Sequence, residues 1–120
     1  MMANGSLQHL GGVDEITIGF QRPDGSNGST PIWVVTVGDD VYVRSIYGSR
    51  GGWYRRLRAR PDGQVEDGDH VHPVHAEPVA DPGTLEEVTR AYATKYAGSP
   101  YVQSLLGQEA VDATLRLEPR

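Results

Sequence analysis

Cysteine is absent from this 120-residue chain, which excludes disulfide staples and thiolate chemistry alike. No apolar run approaches the roughly 20 residues that a membrane helix needs. The N-terminal MMANGSLQHLGG lacks a basic stretch followed by an apolar one, so it is not a signal peptide. Residues 1–12 are expected to be a flexible N-terminal segment, and 13–120 one domain with one core. A net charge of -5 argues against general nucleic-acid binding. A cytoplasmic protein with no membrane and no nucleic-acid partner is the expectation. Acidic residues are missing from one place in particular. Between Val41 and Pro61 there are six arginines and no carboxylate, against a chain total of -5. Such a segregated positive segment attracts an anion.

What is present favours short strands and tight turns, with 15 glycines and 8 prolines. Glu15–Gln21 (EITIGFQ) alternates, placing Ile16, Ile18 and Phe20 on one face. Residues 22–29 (RPDGSNGS) form a turn. Residues 31–37 (PIWVVTV) are nearly all apolar and predict a strand buried on both faces. A hairpin at 38–40 leads to a strand over 41–46. There Val41, Val43 and Ser45 share one face, and Tyr42, Arg44 and Ile46 the other. Residues 53–60 predict a short helix with Trp53 and Leu57 one turn apart, stopped by Pro61. A brief strand at 64–66 and a turn at 67–69 precede a strand over 70–79, which Pro73 and Pro78 interrupt.

The clearest helix covers 82–97. Asp81 caps it, Pro82 opens it, and Leu85, Val88, Tyr92 and Tyr96 form its apolar stripe. A weak helical turn is expected over 101–106 and a closing strand over 113–117. The fold class is mainly β: a small antiparallel barrel of about six strands, with one short inserted helix and one longer capping helix.

The text YVRSIYGSRGGWYRRLRARP predicts a strand, a glycine loop and a helix start, a plausible phosphate cradle. Gly51 and Gly52 let backbone N–H groups approach a ligand. Arg50, Arg55 and Arg44 add charge and forked donors suited to phosphate or carboxylate. Trp33, Tyr47, Trp53 and Tyr54 are candidates to flank a planar ring, although Trp33 in a buried strand favours a core role. The run DHVHPVH places His70 and His72 on one face, while Pro73 breaks the alternation before His75. With His9 the sole other histidine, no metal site is expected.

The string PIWVV…YVRS…G…WYR, followed by AYATKY and TLRLEPR, resembles the family called domain of unknown function 2255, over Glu15 to Arg120. That family is similar in turn to the split β-barrel superfamily of pyridoxamine-phosphate oxidases and deazaflavin-dependent nitroreductases. There, a strand ending in serine enters a glycine loop and then a helix beginning Trp-Tyr. Ser45, residues 47–52, Trp53 and Tyr54 match that pattern. The family's lysine and its basic Gly-Arg-x-Ser-Gly turn have no direct counterpart; Arg50 and RPDGSNGS stand nearest.

The resemblance implies a homodimer with a cofactor groove at its interface. It further implies a flavin- or deazaflavin-binding oxidoreductase acting on a small organic substrate, with flavin mononucleotide (FMN) or a deazaflavin coenzyme. Arg50, Gly51, Gly52 and Arg55 would hold the anionic tail, with Ser45 and Tyr54 bonding the ring or a substrate carbonyl. Two alternatives stand beside it. One is a cofactor-independent enzyme using the groove for an anionic or polyketide-like substrate, with Tyr54, Tyr92 and His72 exchanging protons. The other is a non-catalytic module that binds a small anionic ligand.

Overall fold

The computed structural model describes residues 3–120, with side chains from Leu7 onward. Six antiparallel strands close into a barrel in the order β1-β2-β3-β6-β5-β4. They are β1 (Glu15–Gln21), β2 (Asn27–Val37), β3 (Asp40–Arg44), β4 (Asp62–Asp67), β5 (His70–Pro78) and β6 (Thr114–Pro119). Closure comes from β1 meeting β4, where Ile18 lies opposite Val65. The small antiparallel barrel expected from the sequence is what forms, and the helices sit outside it. Among the described residues no helix is long and apolar enough to cross a membrane.

Alternation determines the barrel's interior. Ile16, Ile18, Ile32, Val34, Val41, Val43, Val65, Val74, Leu115 and Leu117 point inward into one cluster. The other face of β2 and β3 supplies Val35 and Tyr42 to a second cluster, built with Val88, Tyr92, Tyr96, Val102 and Leu105. The two-sided burial expected of residues 31–37 arises because helix α2 (Pro82–Lys95) lies over that outer face. Asp81 caps α2, its carboxylate accepting from Thr84 N at 2.9 Å. The short helix α1 (Gly52–Ala59) is inserted between β3 and β4 and buries Tyr54 and Leu57.

Several boundaries differ from expectation for local reasons. β2 begins at Asn27, four residues before Pro31, and Pro31 sits within the strand opposite Thr17. β3 pairs with β2 only from Val34 onward, so the missing proline N–H falls where no second partner needs it. β4 likewise runs from Asp62, longer than the brief strand expected. β3 stops at Arg44, and the chain turns out so that Ile46 is 49% exposed.

The lead-in is corrected for residues 7–12. They belong to a 3-10 helix over Ala3–Gly12, and Leu7 and Leu10 have no exposed surface. Both plug the barrel interior alongside Val41 and Leu117. Two leucines three apart were enough to anchor the segment, because an open barrel end leaves apolar surface to cover.

Candidate functional site

At the end of β3 the chain makes the junction that shapes the site. Gly48 opens a 3-10 turn (Gly48–Arg50) with a positive φ of 64°. Gly51 then runs extended and caps α1 without a side-chain bond, its N–H donating to Gly48 O at 3.1 Å. A Cβ on Gly51 would collide with Ser45 Oγ and lie 3.2 Å from Ser45 Cβ. The glycine is therefore required by close approach of the loop to the strand end. Ser45 is buried, and its Oγ has no hydrogen-bond partner among the described residues. The first N–H groups of α1 lie open beside it, since intrahelical bonding starts with Arg55 N donating to Gly51 O.

Arg44 is 2% exposed. Nε donates to Thr114 Oγ1 at 2.8 Å, Nη1 to Thr89 Oγ1 at 2.8 Å and Leu105 O at 3.0 Å, and Nη2 to Leu85 O at 2.9 Å. Its guanidinium carbon stands 5.7 Å from the Tyr92 ring centroid. All four acceptors are neutral, and burial pulls the guanidinium below its ordinary pKa.

These elements wall a cavity of about 590 Å³. β1 and the turn after it contribute Glu15, Phe20 and Arg22. β2 contributes Thr30 to Trp33. The end of β3 contributes Arg44, the junction and helix after it contribute Ile46, Tyr47, Gly51, Gly52, Trp53 and Arg56, and the 3-10 helix region contributes Tyr101, Ser104 and Leu105. Trp33 is backed by Tyr96, with rings 4.2 Å apart and 6° from parallel. Three of the four large apolar side chains that are exposed stand here: Ile46, Tyr47 (66%) and Tyr101 (71%).

The cavity brings together five of the expected binding residues: Arg44, Tyr47, Gly51, Gly52 and Trp53. Ser45 lies directly behind Gly51. Arg50 points elsewhere, to Glu109 at 3.3 Å, with both side chains largely exposed. Arg55 is exposed on α1 and outside the cavity wall. Of the proposed proton-transfer residues, none lines it. Tyr54 is packed in the barrel core. Tyr92 is fully buried, donates to Trp33 O at 3.2 Å, and its phenol is pushed far above its ordinary pKa by burial. His72 lies on β5, with its ring 5.5 Å from His9 and 6.3 Å from His70. Among the described residues, no three His, Asp or Glu side chains are placed to hold a metal ion.

Sequence reasoning missed Arg22 and Arg56 as site residues, and with them Phe20, Tyr101 and Ser104. For Arg56 a signal existed: Gly52, Trp53 and Arg56 fall on one helix face. No local pattern marks Tyr101 or Ser104, which arrive from the far end of the chain.

With fold and cavity in view, similarity to known proteins becomes informative. The model of an uncharacterised protein family conserved in bacteria, domain of unknown function 2255, matches residues 6–117, and the chain belongs to that family. A search of curated proteins finds no match. Among solved structures, a conserved hypothetical protein from Mycobacterium tuberculosis superposes with a TM-score of 0.67 at 18% identity, covering 98% of this chain and 79% of that one. A structure described as an F420-H2 dependent reductase gives 0.65 at 16%, covering 88% and 94%. HutZ, described as a heme storage protein from Vibrio cholerae, gives 0.64 at 14%, covering 100% and 92%. At these identities the likeness shows the fold, a split barrel.

Proposed function

We propose that the cavity binds a planar, phosphorylated redox cofactor of the flavin or deazaflavin class, and that the protein is an oxidoreductase acting on a small organic substrate. One observation carries this reading: a cavity of about 590 Å³ combines aromatic walls with three arginines and the open start of α1. That size suits a small-molecule site. The residues fit the group. Gly51 lets the loop close onto Ser45, so the start of α1 sits directly at the cavity wall. The N–H groups of Gly52 and Trp53, with Arg56 and Arg22, would hold the anionic tail. Trp33, Tyr47, Trp53 and Tyr101 would flank the ring.

Such a cofactor supplies hydride transfer when bound. The protein's part is then positioning, charge and exclusion of water. Tyr92 and Thr89 contribute indirectly, by holding Arg44 in the wall. Ile46, Tyr47 and Tyr101 form an apolar rim that a second copy would cover, so a homodimer belongs to this proposal.

Titration of the purified protein with FMN and with a deazaflavin coenzyme tests it. Saturable quenching of Trp53 fluorescence at micromolar ligand, about -8 kcal/mol, is the expected result. Gly51→Ala should weaken that binding at least tenfold, because its methyl group would collide with Ser45 and push the start of α1 out of place. Absence of binding for both cofactors would refute the oxidoreductase. A non-catalytic ligand-binding module is the second reading, favoured by one fact: Tyr54, Tyr92 and His72 all lie outside the cavity wall.

A further inference from the structure

Arg44 differs from the arginines at the cavity mouth. It is 2% exposed, yet it belongs to the cavity wall. A guanidinium has five N–H donors. Four are taken, by two threonine hydroxyls and two backbone carbonyls, and none by a carboxylate. One Nη2 proton is left without an acceptor among the described residues. The positive charge is likewise uncompensated, although a buried charge ordinarily sits with an opposite one. The four neutral acceptors fix the group's position without neutralising it.

We infer that Arg44 is the recognition group for a carboxylate on the substrate, which would be a small aromatic or otherwise planar organic acid. This rests on the proposed function, and it names the substrate class for the same cavity. A single free donor suits one carboxylate oxygen. A phosphate dianion, with three acceptor oxygens, needs more donors than Arg44 has left. Phosphate is served instead at the mouth, by Arg22, Arg56 and the start of α1. The cavity therefore has two anion sites of different kinds: one inner and monovalent, one outer and forked. Attraction at the inner site is strong because little water screens it.

The test is a titration of the cofactor-free protein with benzoate, its neutral isostere benzamide, and inorganic phosphate, followed by calorimetry or NMR shifts. Benzoate should bind roughly tenfold or more tightly than benzamide. Phosphate should not displace it. Arg44→Lys, which keeps the charge but cannot keep the four-point hold, should remove most of the preference. Arg22→Gln and Arg56→Gln should leave it in place. Equal binding of benzoate and benzamide by the wild-type protein would overturn the inference, whatever the variants do. So would a preference that survives in folded Arg44→Lys but vanishes in Arg56→Gln. Because no cofactor is present, the two proposals fail separately. A protein that binds FMN but ignores charge on benzoate loses only the carboxylate site. One that prefers benzoate but binds neither cofactor loses only the oxidoreductase.

Discussion

Two regions of this protein hold cations in opposite ways. Beside α2, the buried Arg44 and the half-buried Lys95 are hydrogen-bonded only to neutral oxygens. Lys95 Nζ donates to the carbonyls of Leu10, Val13 and Val34 at 3.2, 2.6 and 2.7 Å. On the outer surface, Arg50 pairs with Glu109, and His75 is gripped by Asp62 and Glu77 at 2.7 and 2.8 Å. The surface pairs satisfy charge with charge and gain little, because water and salt screen them. Neither of these two cations is hydrogen-bonded to a carboxylate among the described residues, yet each joins separate pieces of chain. Lys95 ties the end of the 3-10 helix to β2, and Arg44 ties α2 and the 3-10 helix Val102–Leu105 to β3 and β6. They differ from each other in one respect. All three ammonium protons of Lys95 are used, whereas Arg44 keeps one donor and a place in the cavity wall. Lys95 therefore acts as a fastener alone, whereas Arg44 fastens and also lines the cavity, as the proposed carboxylate site requires.

The comparison breaks if removing a buried cation is harmless. Arg44→Met should cost about 3–5 kcal/mol, because four acceptors in a buried site lose a charged donor. Lys95→Met should cost less, about 1–3 kcal/mol, because Leu10 O still accepts from Val13 N and Val34 O from the Tyr96 hydroxyl. Chemical denaturation measures both, and losses under 1 kcal/mol for either would show that the neutral acceptors find other partners.

Next in size is Tyr96→Phe. The hydroxyl's single proton is shared between Asp14 O at 2.7 Å and Val34 O at 2.9 Å, and its oxygen accepts from Val34 N at 3.1 Å, so the buried amide loses its acceptor. A loss of about 1–2 kcal/mol is expected from thermal unfolding, coupled to Lys95→Met because both side chains serve Val34 O.

His75 sharpens the contrast through pH. Hydrogen bonding by Asp62, then by Glu77, raises its pKa above 6.5. The stabilisation is fully present below 6.5 and is lost as pH rises through the raised value. The His75 bond in turn lowers Asp62 below 3.8, so that share holds above 3.8 and is lost as pH falls through the lowered value. Midpoint temperatures of wild type and His75→Ala should thus differ most between these limits and converge on the alkaline side. A difference that grows above neutrality would reverse the assignment. The smallest effect is expected for Arg50→Ala, within about 0.5 kcal/mol, since both partners of its ion pair are largely exposed. A larger loss on denaturation would place that surface pair among the fasteners.

How much was legible in the sequence follows from the range of each signal. Alternation in EITIGFQ and the apolar run PIWVV announce strands because the period of 2 is a property of neighbours. Asp81-Pro82 and the stripe ending at Tyr96 announce α2 for the same reason. The glycine loop was visible too, since Gly51 is needed for a contact six residues away. Arg44 was visible as a charge on the outer face of β3, but its burial was not. That depends on Leu85, Thr89, Leu105 and Thr114, which lie 41 to 70 positions along the chain.

By itself, then, the sequence determined a cysteine-free barrel of short strands, one long capped helix, and a positive strand-loop-helix junction. These rest on local periodicity, turn chemistry and charge spacing. Only the tertiary structure decided which arginines line the cavity. Closure of β1 onto β4 and the return of residues 101–105 to the end of β3 put Arg22, Arg44 and Arg56 around one cavity and turned Arg50 and Arg55 away. The same packing withdrew Tyr92 into the core, because a tyrosine on the apolar stripe of a helix over a sheet is driven inward by its own ring. Charge and residue type are written along the chain. Which side of the barrel each group meets, and with what partners, is settled only when distant segments pack.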